Sequence, residues 1–478
     1  METITLKENA KLLEKQLQKT GKFTLNDASA ITGVSVHEAQ KALEDLMSKY
    51  VCHLKVTENG DLLYDFGRSP QRRGDKSFGE RIEEIQDFLW KMFTIFYKAW
   101  ISVMLVVYFV VFVVIMIAII VAMNKDSDSD SDNDSGGSNM FGGMFHLFLS
   151  IFQWNTVYYG QTYYDTDDRG YNYKHYKEKE SPFDKKEKNF MAAVYDFVFG
   201  PPRIMLEALE NQKEVAAYAR KNAGIVALPE FKALAGWNTD EAQAFMSDCV
   251  VRFNGSAEIS ENGLLYADLR DLTRSVNPND DGKVVWYWDE YEPEFELTGN
   301  TTGKNALIIG MNIFNLVFAS VFLFGDFSEI MPELNSYWSW VFLGVIPFVF
   351  SLSFFAIPAL RYLTLLPKRN QRHINNVKKR LLKVIYKNAG NGALSTDALA
   401  NEVNRTAKEE KLDKAIIDDV MSKYIVEWDG EAVPTSNGNV LYKFETLKNQ
   451  LLEVQELRTK APKNKDLGNI YYDSKEEI

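Results

Sequence analysis

The 478 residues are enough for about three domains. They carry 54 Lys and Arg against 66 Asp and Glu, a formal charge of −12, which argues against a protein coated in nucleic acid. Two cysteines exclude a disulfide framework, and a mean hydropathy of −0.24 excludes a chain made mostly of membrane spans.

The opening residues, METITLKENAKLLEKQLQKTG, have neither the apolar core nor the small-residue cleavage site of a signal peptide. Residues 1–67 form a first soluble unit. A helix ends at a glycine; a second helix, NDASAITG, leads through a turn to a third, SVHEAQKALEDLMSKY, of amphipathic period. Two short strands joined by Asn59 and Gly60 then make a hairpin. Cys52 here, and Cys249 later, are expected to be small buried apolar residues. Residues 68–99 read as a basic amphipathic linker helix.

Residues 100–123 contain no charge and are long enough to cross a hydrocarbon core of about 30 Å. A soluble helix of that length would show a polar face. Residues 140–159 also lack formal charge, so 100–159 is expected to be a transmembrane hairpin with an acidic tip. The alternative for 140–159 is a helix lying on the membrane surface. Residues 160–212 are a Tyr-rich and then helical linker; the tyrosines between Tyr158 and Tyr176 suit a headgroup layer or a partner patch. After a second soluble unit (213–272) and a linker (273–304), residues 305–366 form a second transmembrane hairpin. Asn312 and Asn315 are expected to bond a neighbouring helix rather than face lipid. Pro347 and Pro358 are expected to kink the last segment or end its regular part early. Residues 367–447 hold a basic linker helix and a third unit, and 448–478 a charged tail, disordered over its last stretch. Cations flank the first and last apolar segments: Arg72, Arg73, Lys91 and Lys98 on one side, Arg361, Lys368, Arg369 and Arg372 on the other. That places both termini in the cytoplasm and requires an even number of crossings.

Self-comparison relates the soluble units. ALEDLMSKY (42–50) precedes ENGDLLYDF (58–66), EAQAFMSDCVVRF (241–253) precedes ENGLLYADL (261–269), and IIDDVMSKY (416–424) precedes SNGNVLYKF (436–444). Upstream, KTGKFTL, KNAGIVAL and KNAGNGAL correspond. Helix, helix, turn, helix and two-stranded wing make a winged helix-turn-helix. The fold class is therefore an α+β membrane protein with three winged-helix-like repeats and transmembrane helical hairpins.

A winged helix reads DNA with cations on its third helix. Here residues 35–50 set Glu38, Glu44 and Asp45 against Lys41 and Lys49, and residues 238–253 set Asp240, Glu241 and Asp248 against Arg252. Residues 405–424 carry five of each sign. Such acids repel phosphates, so a protein surface is favoured over a DNA reader.

No other motif carries chemistry. GNTTGKN (299–305) lacks one spacer of a phosphate loop and the hydroxyl residue after Lys304. The Asp-Ser run between Asp126 and Ser135 lacks the distal glutamate of a calcium loop. The histidines His37, His53, His146, His175 and His373 have no ligand spacing; His146, inside an apolar segment, is the one with functional promise. Catalytic residues, metals and cofactors are all expected to be absent.

FVFGPP (197–202) and VVRFNGSAEISENGLLY (250–266) resemble segments of uncharacterised membrane proteins of cyanobacteria and plastids, which carry an FGDG-like turn and a VRFDG-x-PEVS-x-x-G-x-(I/V)VY-like segment. The likeness is clearest over residues 190–270. Pro201 and Pro202 replace the acidic-glycine turn. Plastid members have been labelled iron–sulfur assembly proteins, but this chain has no cysteine cluster to hold such a group. The resemblance implies the architecture and supplies no catalytic residue.

The expected function is that of a non-enzymatic, multi-pass protein of a bacterial cytoplasmic membrane. Its partners are the lipid bilayer and either further copies of itself or another protein; nucleic acid is disfavoured and no small molecule is specified. A membrane-tethered DNA-binding regulator is the first alternative, and an oligomeric transporter or channel the second.

Overall fold

The structure is a computed structural model. It describes residues 6–74, 78–125, 164–165, 188–201, 204–205, 209–276, 282–289, 292, 294–326, 334–390, 392–405, 414–435, 440–462 and 467–475.

The chain opens with α1 (Leu6–Thr20), β1 (Lys22–Thr24), α2 (Leu25–Thr32), α3 (Val36–Lys49), β2 (His53–Thr57) and β3 (Leu62–Asp65). α1 buries Ala10, Leu13 and Leu17, the i, i+3, i+7 face of its turns. Capping boxes start the next two helices, Thr24 with Asp27 and Ser35 with Glu38, each satisfying two orphan backbone donors. Gly33, left-handed at φ 76°, ends α2. β3 pairs antiparallel with both β1 and β2, around a core of Leu13, Leu17, Phe23, Leu43, Leu46 and Tyr64. Each such side chain contributes about 1.5–3 kcal/mol on burial.

The next helix is far longer than the expected span. α4 (Phe78–Lys125) merges the amphipathic linker and the apolar segment into 48 residues without a break. A two-residue parallel pairing joins β4 (Tyr164–Asp165) to β5 (Ile204–Met205). Between them α5 (Phe190–Phe199) wedges Ala193, Val194, Phe197 and Val198 against α4. The expected crossing at 140–159, His146, His175 and the Asp-Ser run lie outside the described residues.

A second group repeats the first: α6 (Glu210–Lys221), β6 (Ile225–Ala227), α7 (Leu228–Ala235), α8 (Thr239–Arg252), β7 (Ser256–Ile259) and β8 (Leu265–Asp268). Asn238 and Glu241 box the start of α8, and β8 pairs with β6 and β7. Cys249 is fully buried in this core, as Cys52 is nearly so in the first.

α9 (Thr302–Phe324) follows, then α10 (Tyr337–Asn388), 52 residues long, with a π-helical stretch at Trp340–Val345. Pro347 and Pro358 do not end α10. The π stretch lies directly before Pro347, and the helix runs on through Pro358 and Pro367. The basic linker is thus the last part of α10, and Val377, Leu381, Leu382 and Ile385 on it lie in the core of a third group. That group adds β9 (Leu394–Ser395), α11 (Thr396–Arg405), α12 (Lys414–Glu427), β10 (Glu431–Pro434) and β11 (Val440–Lys443), with β11 paired to β10 and β9. All three groups share one order of elements and one strand order, the third strand between the first and second.

The described parts of the charged tail, 448–462 and 467–475, are structured rather than disordered. α13 (Glu445–Lys460) lays Val454 against Ile225, Ala227 and Leu264 of the second group. β12 (Ile470–Asp473) adds a fourth strand to the first group's sheet, outside β2, and Asp473 pairs with Lys55 at 2.8 Å. Composition alone missed this because β12 buries little; backbone pairing to a strand some 400 positions away holds it.

α4, α9 and α10 are long and apolar enough to cross a membrane. α4 and α9 run in the same direction: Ile101 and Leu105 cluster with Ile308 and Met311, and Phe112 with Ala319 and Phe322. α10 runs the opposite way, with Gly344 against Leu323 and Ser351 bonded by Asn312.

Candidate functional site: third-helix faces and the joints beneath them

α3, α8 and α12 each carry a cation one turn after an aspartate. Lys49 meets Asp45 at 2.7 Å, Arg252 meets Asp248 at 3.1 Å, and Lys423 meets Asp419 at 2.9 Å. These occupy equivalent places in the three aligned segments. The signal was present in the sequence as acid-then-base at i, i+4, the favourable order on a helix. Arg252 also donates to the Gly33 carbonyl at 3.3 Å, so the one cation of α8 is held against the first group. Lys49, Arg252 and Lys423 are thus each held beside a carboxylate.

The groups are joined by buried charge. Arg220 on α6 reaches Asp27 on α2 at 2.7 Å, and Asp27 also accepts from the Ser275 hydroxyl at 2.6 Å and the Val276 amide at 3.0 Å. Both side chains are about 95% buried, at 5% and 4% exposure. Asp27 therefore caps its own helix and clamps the neighbouring group. On the other flank Arg458 of α13 reaches Glu230 at 2.6 Å and the Ile225 carbonyl at 2.8 Å, while Tyr218 donates to Glu230 at 2.6 Å. Lys232 bonds the Glu427 carbonyl and sits 4.4 Å from the centre of the Trp428 ring. Burial pushes the Lys232 ammonium below its ordinary value and the Glu427 carboxyl above its own.

A strap between the second group and α9 ties the assembly to α10. Arg361 donates to the carbonyls of Val198, Glu296 and Leu297, Arg369 to that of Phe295, and Arg372 to that of Glu292. Glu292 is buried with Lys379 at 3.5 Å and accepts from Asn375 at 3.0 Å. Asp289 pairs with Lys383 at 2.7 Å. Trp286 and Trp288 stack at 4.9 Å and cover Tyr386. Much of the basic flank counted for topology is thus engaged by an acidic strap. In the sequence, WYWDEYEPEFE beside a basic helix carried the signal, but no local rule pairs segments 80 residues apart.

GNTTGKN is a helix start. Thr301 caps α9, Asn300 donates to the Ala193 carbonyl at 2.8 Å, and Asn305 donates to Thr298 at 2.9 Å. In FVFGPP, Gly200 has φ 89°, and a Cβ there would fall on the Arg361 guanidinium. Asn312 and Asn315 do bond neighbouring helices, through the carbonyls of Ser351 at 3.0 Å and Leu105 at 2.9 Å. His37, His53 and His373 are spread over α3, β2 and α10, and no group of three His, Cys, Asp or Glu able to hold a metal occurs among the described residues.

Comparison with known proteins supports part of this picture. An uncharacterized chloroplastic protein of Arabidopsis thaliana is 25% identical over 376 residues, covering 73% of this chain and 67% of its own. It supports a plastid-type set of uncharacterised relatives and carries no stated activity. No family model matches the chain, and no solved structure does.

Proposed function

We propose that this is a non-enzymatic, multi-pass membrane protein whose three winged-helix-like repeats form one protein-interaction or assembly platform on a single side of the bilayer. The observation that carries the reading is the Asp-to-cation pair repeated on α3, α8 and α12, which sets a carboxylate beside Lys49, Arg252 and Lys423 on the three third helices. Buried ion pairs joining the repeats support one rigid surface rather than three independent readers.

Membrane topology is part of the proposal. The repeat before α9 contacts both the one before α4 and the one after α10, so the three share one side. α4 and α9 both leave that side in the same direction. Both ends of the described chain, α1 and β12, lie with the repeats on that side. We assign that side to the cytoplasm of a bacterial cell; the relative from Arabidopsis thaliana is chloroplastic.

The test is purification in native lipid particles without nuclease, with particle mass and co-purifying molecules determined together. A defined oligomer or a protein partner, free of nucleic acid, is the expected result. DNA retained at moderate salt overturns it in favour of a membrane-tethered regulator.

A further inference from the structure

The apolar bundle of α4, α9 and α10 encloses three side-chain oxygens that no group among the described residues satisfies: Asn312 Oδ1, Asn315 Oδ1 and Ser351 Oγ. All three side chains are fully buried. A buried polar atom without a partner destabilises the fold, so nearly all such atoms in proteins bond to protein or to ordered water.

The three oxygens share one level of the bundle. Asn312 and Asn315 lie one turn apart on the buried face of α9, flanked along it by Ile308 and Met311 before and by Ala319 and Phe322 after. Asn312 donates to the Ser351 carbonyl at 3.0 Å, which sets its amide against the residue that carries the third oxygen. Asn315 donates to the Leu105 carbonyl of α4 at 2.9 Å. These bonds fix both amide orientations. Turned over, each amide oxygen would face a carbonyl oxygen, two acceptors with no proton between them. Ser351 also leaves a local option unused. On α9, Ser320 returns its hydroxyl to the Leu316 carbonyl one turn back at 2.7 Å, whereas the Ser351 hydroxyl makes no such bond.

We propose that Asn312, Asn315 and Ser351 bind one buried water molecule that bridges α9 to α10 and, through the bond from Asn315 to Leu105, ties in α4. Two of the oxygens only accept hydrogen bonds, and the third can also donate. Water matches that set: its two protons go to the two amide oxygens, and a lone pair takes the Ser351 hydroxyl proton. Three bonds of this kind are the usual complement of a buried water. A metal cation fits less well. Hard cations take about six oxygens or more, and three neutral oxygens supply no charge to offset the loss of an ion's hydration.

The experiment is a high-resolution electron-microscopy map of the full wild-type chain in lipid particles. Density about 2.7–3.2 Å from all three oxygens is expected; a node without such density overturns the proposal. Melting of Ser351→Ala, Asn315→Leu and the double variant gives a second reading. Ser351→Ala keeps the backbone carbonyl that Asn312 uses, and Asn315→Leu removes a bond to Leu105, so the two substitutions break no bond in common. With a shared water, the double variant's melting shift is expected to fall short of the summed single shifts by about 2 °C, and plain additivity counts against it. The wild-type chain is expected to melt alike in sodium chloride and in choline chloride of equal ionic strength. A higher midpoint in sodium would assign the node to a cation and overturn the water.

Discussion

Asp27 and Arg220 stand 193 positions apart, yet a buried 2.7 Å ion pair joins them and locks the first repeat-like group to the second. Asp27 also holds the capping box that starts α2. Asp27→Ala is expected to lower stability by about 3–5 kcal/mol, because it strands a buried guanidinium. Ser35→Ala, which removes only a cap, is expected to cost about 1 kcal/mol. Denaturant melts of both variants in detergent check the ordering, and limited proteolysis should cut Asp27→Ala first between the two groups.

Glu292 and Lys379 predict an asymmetry. Burial pushes the Glu292 carboxyl above its ordinary value, with Lys379 opposing. The native state then holds that proton more readily than the unfolded chain does. Its contribution to stability is fullest below the unfolded value of about 4.3 and falls as pH rises through the native one. Glu292→Gln leaves the buried Lys379 without a carboxylate and should cost about 3–5 kcal/mol at pH 7, while losing this pH dependence. Lys379→Met should lose about 3–5 kcal/mol at pH 7, with a smaller deficit under mildly acidic conditions. Thermal melts at the two pH values decide this; a Lys379→Met deficit that does not shrink on acidification would contradict it.

Burial pushes the Cys52 thiol up to about 11, and the buried Cys249 thiol also rises well above its ordinary value. Both are therefore expected to resist alkylation at pH 8 until the chain is unfolded. Mass spectrometry after a short pulse of reagent reads this directly, and labelling of either at the rate of a free thiol would show that its group opens.

Gly200→Ala is expected to loosen the joint between α5 and α10. The substitution meets a left-handed backbone and the Arg361 guanidinium together, for a loss of about 1–3 kcal/mol. Asn315→Leu, which removes one helix-to-helix hydrogen bond to Leu105, should cost only about 0.6–1.7 kcal/mol. Melting of the two variants in the same detergent gives the order.

Removal of residues 467–478 bares the outer edge of β2. The Glu58 amide, which bonds the Asn469 carbonyl, and the Leu54 amide, which bonds Ser474, are expected to exchange with solvent faster. Pairing of β1 with β3, on the far side of the sheet, should keep its protection. Hydrogen exchange read by mass spectrometry distinguishes the two edges.

The pieces legible in the sequence were those set by local chemistry. Glycine stops and Asn-Gly turns marked helix ends and hairpins, and Gly60 and Gly263 take the positive φ such turns require. Leucine and valine periodicity marked the buried faces. Of the two outcomes expected of the prolines, an early end does not occur: α10 continues through Pro347 and Pro358, with a π stretch directly before Pro347. The joints were opaque for another reason. Arg220 with Asp27, Arg458 with Glu230 and β12 with β2 pair residues hundreds of positions apart, and none alters its local pattern.

α10 belongs at once to the apolar bundle and to the core of the third group. In the membrane arrangement proposed above it has no swivel between them. Thinner or thicker lipid changes the tilt of a spanning helix. Residues 367–388 extend about 33 Å past the span, so a tilt change of about 10° swings their far end by about 6 Å. The third group is in that sense the pointer of a gauge, and the strap from Asp289 to Leu297 carries its reading to the second.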